Sequence, residues 1–331
     1  MAASTSADAA VSAASSTATT NTTTTANVFD FGKYHTEQPK NVEPYCCLKK
    51  STLANPPPKP LLVAMPSEAG EYPLLLLLHG YLLRNSFYSQ LIRHIASHGF
   101  IVVAPQLYCL TGLDASVDIK STAETIKWLS GGGLQDVLPA NVQPDLKKLG
   151  LAGHSRGGKA AFALALGKVE TSALKLSALI GIDPVDGKRE GMQINPPVLT
   201  YSPHSFELGH MPVMVIGTGL GEVQSGIFCA CAPKGVNHEE FYKECQAPAC
   251  HFVAKDYGHL DMLDDETKGL LGTFTYCSCK SGKSREPMRR FVGGIVVAFM
   301  KAHLLGDDSD LMAVINGTET APVDLTIEFD I

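Results

Sequence analysis

Gly153-His154-Ser155-Arg156-Gly157-Gly158 sits between two runs of opposite character. Before it, Leu149-Gly150-Leu151-Ala152 reads as the end of a buried strand. After it, Lys159-Ala160-Ala161-Phe162-Ala163-Leu164-Ala165-Leu166 reads as a helix. Strand, Gly-x-Ser-x-Gly turn and helix together are the context that a nucleophile elbow requires. A turn that tight puts Ser155 in a strained backbone conformation, and Gly153 and Gly157 let strand and helix approach. The serine hydroxyl is then held at the carboxyl edge of a sheet. The backbone N–H of Arg156 points to where an oxyanion would form.

Outward from this turn, the chain alternates. Tyr72-Pro73-Leu74-Leu75-Leu76-Leu77-Leu78 is a continuous apolar run ending at His79-Gly80, which predicts a central strand covered on both faces. Tyr88, Leu91, Ile92 and Ile95 follow at helical spacing, and Phe100–Val103 is the next buried strand. Ile119, Ala123 and Ile126 mark another helix, closed by Gly131-Gly132-Gly133. Further strands are expected at Leu176–Ile182, Pro212–Ile216 and His251–Ala254, a helix at Phe291–Leu304, and a terminal strand within Asp324–Ile331. Two strands around Tyr45–Lys49 and Pro60–Met65 would open the sheet antiparallel. Strands alternating with helices predict an α/β fold: a mostly parallel central sheet with helices on both faces.

Composition narrows the function. With 27 Lys and Arg against 33 Asp and Glu, the net charge is −6, which argues against nucleic acid as a partner. The longest apolar runs fall well short of the ~20 residues that span a bilayer. Residues 1–26 are almost entirely Ala, Ser and Thr, and such a stretch is expected to be disordered. Its acid-poor, Ser/Thr-rich character suits a plastid transit peptide, although it has no Arg; a solvated tail is the alternative. Residues 27–331 are left as the catalytic domain. The nine cysteines form no CxxC…CxxC zinc pattern, and no metal site is expected. Free thiols are the expectation, with longer-range disulfides among the six between 229 and 279 as the alternative.

A serine nucleophile needs a base, and the base needs an orienting acid. Around such an elbow the chain order is Ser, acid, His, each after a strand. His259, in Asp256-Tyr257-Gly258-His259-Leu260-Asp261, follows the last expected core strand and is the base candidate. Two acids compete: Asp183, directly at the end of Leu179–Ile182, and Glu222, in the Gly-rich loop after the next strand. A strand-end acid is held more rigidly, which favours Asp183; Asp186 is a third choice. The N–H of Tyr81, in His79-Gly80-Tyr81, is the second oxyanion donor candidate. Leu107, Tyr108, Leu110 and Leu113, in the loop after Phe100–Val103, are candidates for an apolar wall or lid facing substrate and touching a membrane surface.

Gly-His-Ser-Arg-Gly-Gly-Lys at 153–159, His-Gly-Tyr at 79–81, Ala-Pro-Gln-Leu-Tyr at 104–108, Gly-Ile-Asp-Pro-Val at 181–185 and Tyr-Gly-His-Leu-Asp at 257–261 together resemble the plant chlorophyllases. The resemblance runs from about residue 27 to 315. It implies an α/β-hydrolase that cleaves the ester between the chlorophyll propionate and phytol, using Ser155, Asp183 and His259. It also implies a phytylated pigment as substrate, magnesium only as part of that substrate, no cofactor, and a plastid or other plant membrane as the setting. Two other readings stay open: a general carboxylesterase of the same fold, and a hydrolase-like scaffold that binds a pigment or hormone without turnover.

Overall fold

Along the Leu74–Leu78 run the side chains alternate, so Leu74, Leu76 and Leu78 enter one core and Leu75 and Leu77 the other. The computed structural model describes residues 1, 27–44, 53–108, 112, 114–169 and 175–330. The expected strand around Tyr45–Lys49, residues 2–26 of the tail, Cys46, Cys47, Cys109, Leu110 and Leu113 lie outside the described residues.

In chain order the elements are β1 (Lys40–Val42), β2 (Leu61–Ala64), β3 (Gly70–Leu78), α1 (Ser89–Ser97), β4 (Ile101–Pro105), α2 (Ser116–Ser130), β5 (Val142–His154), α3 (Arg156–Ala165), β6 (Ala178–Ile182), β7 (Val213–Thr218), α4 (His238–Glu244), β8 (Ala249–Ala254), α5 (Gly269–Phe274), α6 (Arg285–Met300), α7 (Ser309–Ile315) and β9 (Leu325–Asp330). The strands form one sheet in the order β1-β2-β4-β3-β5-β6-β7-β8-β9. From β4 to β8 all neighbours are parallel, while β1, β2 and β9 run antiparallel at the two ends. This is the α/β-hydrolase arrangement that the elbow predicts.

One core lies between the sheet and α1 with α6, where Leu91, Ile95, Phe291, Ile295 and Phe299 meet Leu75, Val102, Ile180 and Ile216. The other lies under α2, α3 and α4, where Ile119, Ile126, Phe162 and Phe241 meet Leu76, Val103, Leu151 and Val215. The helix expected over Phe291–Leu304 starts earlier, at Arg285, and its last turn widens over Lys301–Leu305 before Gly306 ends it in the left-handed region. The terminal strand is present as β9 on the outer edge of β8. Free thiols hold for Cys229, Cys245, Cys250 and Cys277 but not for Cys231 and Cys279, which are disulfide-bonded across 48 residues. The loop after β7 and the segment after α5 bring these two Cα atoms to 5.7 Å, within bridging range.

Candidate active site

Ser155 is the single residue between β5 and α3, with φ 56° and ψ −122°, a conformation that L residues avoid. Three backbone bonds hold it there: Ser155 N–H to Ile182 O at 3.0 Å, and the N–H groups of Lys159 and Val185 to Ser155 O at 3.1 and 3.2 Å. The flanking glycines are obligatory. A Cβ on Gly153 would fall 2.2 Å from Gly157 O, and one on Gly157 would fall 2.5 Å from Leu78 O. No side chain fits where strand and helix cross so closely.

The serine hydroxyl donates to His259 Nε2 at 2.8 Å, and His259 Nδ1–H donates to Asp183 Oδ2 at 2.7 Å. Ser155 and His259 are nearly buried and Asp183 is wholly so. Each comes from the end of a different parallel strand or the loop after it: β5, β6 and β8. Burial alone would raise the Asp183 pKa, but the hydrogen bond and charge of His259, with His238 and Thr218 helping, hold it below the ordinary carboxylate value. The acid therefore stays ionised and fixes the His259 tautomer. Thr218, the last residue of β7, donates to the same Oδ2 at 2.6 Å. Asp183 itself has φ 42°, and its N–H donates to Ile216 O at 2.6 Å. In this geometry a serine can act as nucleophile, with a histidine placed to take its proton and an acid placed to orient the histidine.

A second set of buried polar groups aligns this line with the His79-Gly80-Tyr81 loop. His154 Nε2–H donates to the His259 carbonyl at 2.8 Å, so its Nδ1 is the acceptor and takes the Tyr88 hydroxyl at 2.7 Å. The Tyr88 oxygen in turn accepts Gly80 N–H at 3.1 Å. His79 accepts Leu107 N–H at 3.0 Å and its Nδ1–H donates to Gly80 O at 2.9 Å. Burial keeps both imidazoles neutral, lowering His79 to about 4 and His154 to about 3. Gly80 packs so closely that a Cβ there would lie 3.1 Å from Ser155 Cβ. The Tyr81 backbone is thereby fixed beside the serine. Nothing in the sequence pattern singles out Tyr88 or Thr218, since one reads as an ordinary helix residue and the other as part of a Gly-rich loop until the fold closes.

The other predicted residues fall elsewhere. Glu222 accepts from Asn237 Nδ2 at 2.8 Å, away from His259. Asp186 is fully buried against the fully buried Lys159, whose Nζ also donates to Ile194 O and Pro196 O at 2.6 and 2.5 Å. The Arg156 side chain binds Asp118 Oδ2 at 2.6 Å, and Gly112 O and Asp114 O at 2.7 Å each. It thus ties the loop between β4 and α2 to the elbow. Leu107 is buried in the core under α2 and α3 rather than facing the cleft, because its N–H is drawn inward onto His79. Tyr108 is half-buried, with its hydroxyl on Gly80 O at 3.0 Å, and lines neither lobe of the cleft.

That cleft opens on both sides of Ser155. The larger lobe, about 570 Å³, is walled by Val185, Met192 and Ile194 with Lys188 at its edge. The smaller, about 240 Å³, is walled by Leu82, Leu83, Leu260, Leu271 and Phe274. Tyr81 and Cys231 border both lobes. Among the described residues, no group of three or more His, Cys, Asp and Glu is placed to hold a metal ion, and no helix is long and apolar enough to cross a membrane. A family model described as chlorophyllase matches residues 24–330. The chain is 57% identical over 311 residues to chlorophyllase-2 of Arabidopsis thaliana, covering 92% of this chain and 97% of that one. It is 48% identical over 272 residues to chlorophyllase-1 of Arabidopsis thaliana, covering 81% and 83% of the two chains. To chlorophyllase-1, chloroplastic, of Citrus unshiu it is 42% identical over 306 residues, covering 91% and 88%. With an elbow serine at the head of a two-lobed cleft and similarity over nearly its whole length, the chain belongs to the chlorophyllase family.

Proposed function

We propose that this chain is a serine esterase that cleaves the phytyl ester of chlorophyll, releasing chlorophyllide and phytol. The reading is carried by the hydrogen-bonded line Ser155–His259–Asp183 opening onto both lobes of the cleft, in a chain of the chlorophyllase family. Ser155 Oγ attacks the ester carbonyl while His259 Nε2 takes its proton. Asp183 holds Nδ1–H and offsets the charge that develops on the imidazole. The N–H groups of Tyr81 and Arg156 receive the oxyanion. His259 then returns the proton to the departing phytol, and water repeats the sequence to free the pigment acid. The larger lobe accommodates the macrocycle and the smaller one, walled by Leu82, Leu83, Leu260, Leu271 and Phe274, the start of the isoprenoid chain.

Residues 27–331 act as one catalytic unit, a reading supported by the single sheet that runs from β1 to β9. The chloroplast is the proposed place of work, supported by the names of the Citrus unshiu and Citrus sinensis relatives, both chlorophyllase-1, chloroplastic. The test is incubation of the purified protein with chlorophyll a in mild detergent, with pigments separated by chromatography and Ser155→Ala as control. The expected result is chlorophyllide from the wild type and none from Ser155→Ala at equal circular dichroism. Serine-dependent cleavage of a short p-nitrophenyl ester without chlorophyllide would replace the pigment reading with a general carboxylesterase.

A further inference from the structure

Two segments at the mouth of the smaller lobe, 222–234 and 267–283, are bound to each other on their inner side. The Cys231–Cys279 disulfide joins them, the rings of Phe228 and Phe274 meet edge to face at 5.5 Å, and Ser225 Oγ donates to Cys277 O at 3.2 Å. The second segment is further anchored from below. Arg285 donates to Thr275 O at 3.0 Å and stacks on Tyr276 at 4.1 Å, and Thr267 Oγ1 donates to Gly272 O at 2.9 Å. On this anchored base Ile227 is 95% exposed and Leu270 is 92% exposed, with Val223, Phe274 and Tyr276 exposed beside them. Scattered apolar side chains on a surface need no explanation, but five exposed ones on two joined segments, with Phe274 among them lining the smaller lobe, form a ridge that does.

Charge on the ridge runs against the rest of the chain. The chain carries −6 overall, yet residues 267–283 hold Lys268, Lys280 and Lys283 and no acid. Residues 222–234 add Lys234, and their one acid, Glu222, is turned onto Asn237. All four lysines are exposed; of the neighbouring acids Asp264 caps α1, Asp265 pairs with Arg289, Asp256 and Asp324 line a pocket with Lys283, and Glu266 is exposed. Leu271, Phe274, Cys231 and Cys279, from the same two segments, line the smaller lobe down to Ser155. The apolar ridge and the catalytic channel are therefore one continuous surface.

We propose that this ridge docks the protein onto a lipid bilayer bearing anionic headgroups. Ile227 and Leu270 enter the acyl boundary and the lysines sit at the level of the headgroups. The inference rests on the phytyl-ester reading. A long isoprenoid ester partitions into lipid. A channel opening at the bilayer surface lets it reach Ser155 without crossing water.

The experiment is flotation of the purified full-length protein with pigment-free vesicles, of phosphatidylcholine alone or mixed with phosphatidylglycerol. Binding is expected to the mixed vesicles, to weaken with added salt, and to fall at least about tenfold in Ile227→Asp/Leu270→Asp. Neither side chain lines either lobe. The variant is therefore expected to keep wild-type turnover of p-nitrophenyl butyrate and of detergent-dispersed chlorophyll while losing turnover of chlorophyll held in vesicles. Wild-type protein that does not float, or a variant that floats equally well, overturns the proposal. A wild-type dimer that becomes a monomer in the variant, with flotation unchanged, would make the ridge a subunit interface and also overturn it. Flotation uses no pigment, so its failure is read separately from failure of the hydrolytic reading in detergent.

Discussion

Asp183 receives two hydrogen bonds on one oxygen, from His259 and Thr218, while its Oδ1 has no hydrogen-bond partner among the described residues. Thr218 therefore positions the acid rather than touching substrate. A bond to a charged group contributes about 1.5–3 kcal/mol. Thr218→Val is thus expected to lower kcat by roughly tenfold to a hundredfold at little change in KM, with Thr218→Ser restoring most of it. Steady-state kinetics on a soluble ester checks this; an unchanged kcat would remove Thr218 from the positioning of the acid. Asp183→Asn is expected to abolish turnover while Glu222→Gln leaves it near wild type, measured in the same assay. Ser155, His259 and Asp183 were legible in the sequence because each ends a recognisable strand or follows one in the expected order. Thr218 and Tyr88 were not, because a polar residue at a strand end or helix start has no distinguishing neighbour until another part of the chain arrives. Leu107 misled for a related reason: an apolar residue after a strand looks like a lid, and only the inward pull of His79 shows it to be core.

At the scale of elements, α3 carries the elbow at its start and a buried cation one turn later. Lys159 binds Asp186, Ile194 O and Pro196 O, and Asp186 in turn accepts Val198 N–H, Leu199 N–H and Gln193 Nε2. One helix thus holds both the nucleophile and the 187–196 wall of the larger lobe. Removing one partner of a buried pair costs about 3–5 kcal/mol. Lys159→Met is expected to lower stability by that amount in urea unfolding, and to raise KM for the pigment more than for a short ester. An equal KM change for both esters would separate the pair from the wall. The Cys231–Cys279 bridge acts on a second pair of segments. Its loss in Cys231→Ser/Cys279→Ser is expected to cost about 2–4 kcal/mol, read as a lower thermal midpoint that reductant no longer changes. The strands and helices were legible from apolar periodicity, whereas the pairing of two cysteines 48 residues apart depends on where loops from β7 and α5 meet, which periodicity does not encode.

Across the whole molecule, burial holds four imidazoles neutral: His79 and His154 beside the serine, His94 on α1 and His251 on β8. His79, His94 and His251 are lowered to about 4, and His154 to about 3. All four lie below the unfolded value near 6.5, so between about pH 4 and 6.5 the unfolded chain binds more protons than the folded one. Stability therefore rises with pH across that window and is lost as pH falls through it. The slope reaches about 1.4 kcal/mol per pH unit for each histidine that titrates only on unfolding. Urea midpoints measured between pH 7 and pH 5 are expected to fall steadily, and a flat profile would show that these imidazoles are not held neutral. The two-sided core followed from runs such as Leu74–Leu78, which are apolar on both faces and so demand cover on both. The edge position of β9 did not, because a partly exposed terminal strand has no such demand.

Ser155, Asp183 and His259 follow β5, β6 and β8 respectively, and the ribosome makes them in that order. A growing chain therefore carries its serine for more than a hundred residues before its base exists. The late segment that bears Cys279 completes the cleft later still. Synthesis interrupted before residue 259 is therefore expected to leave a fragment that holds the serine without its base, and hence without esterase activity.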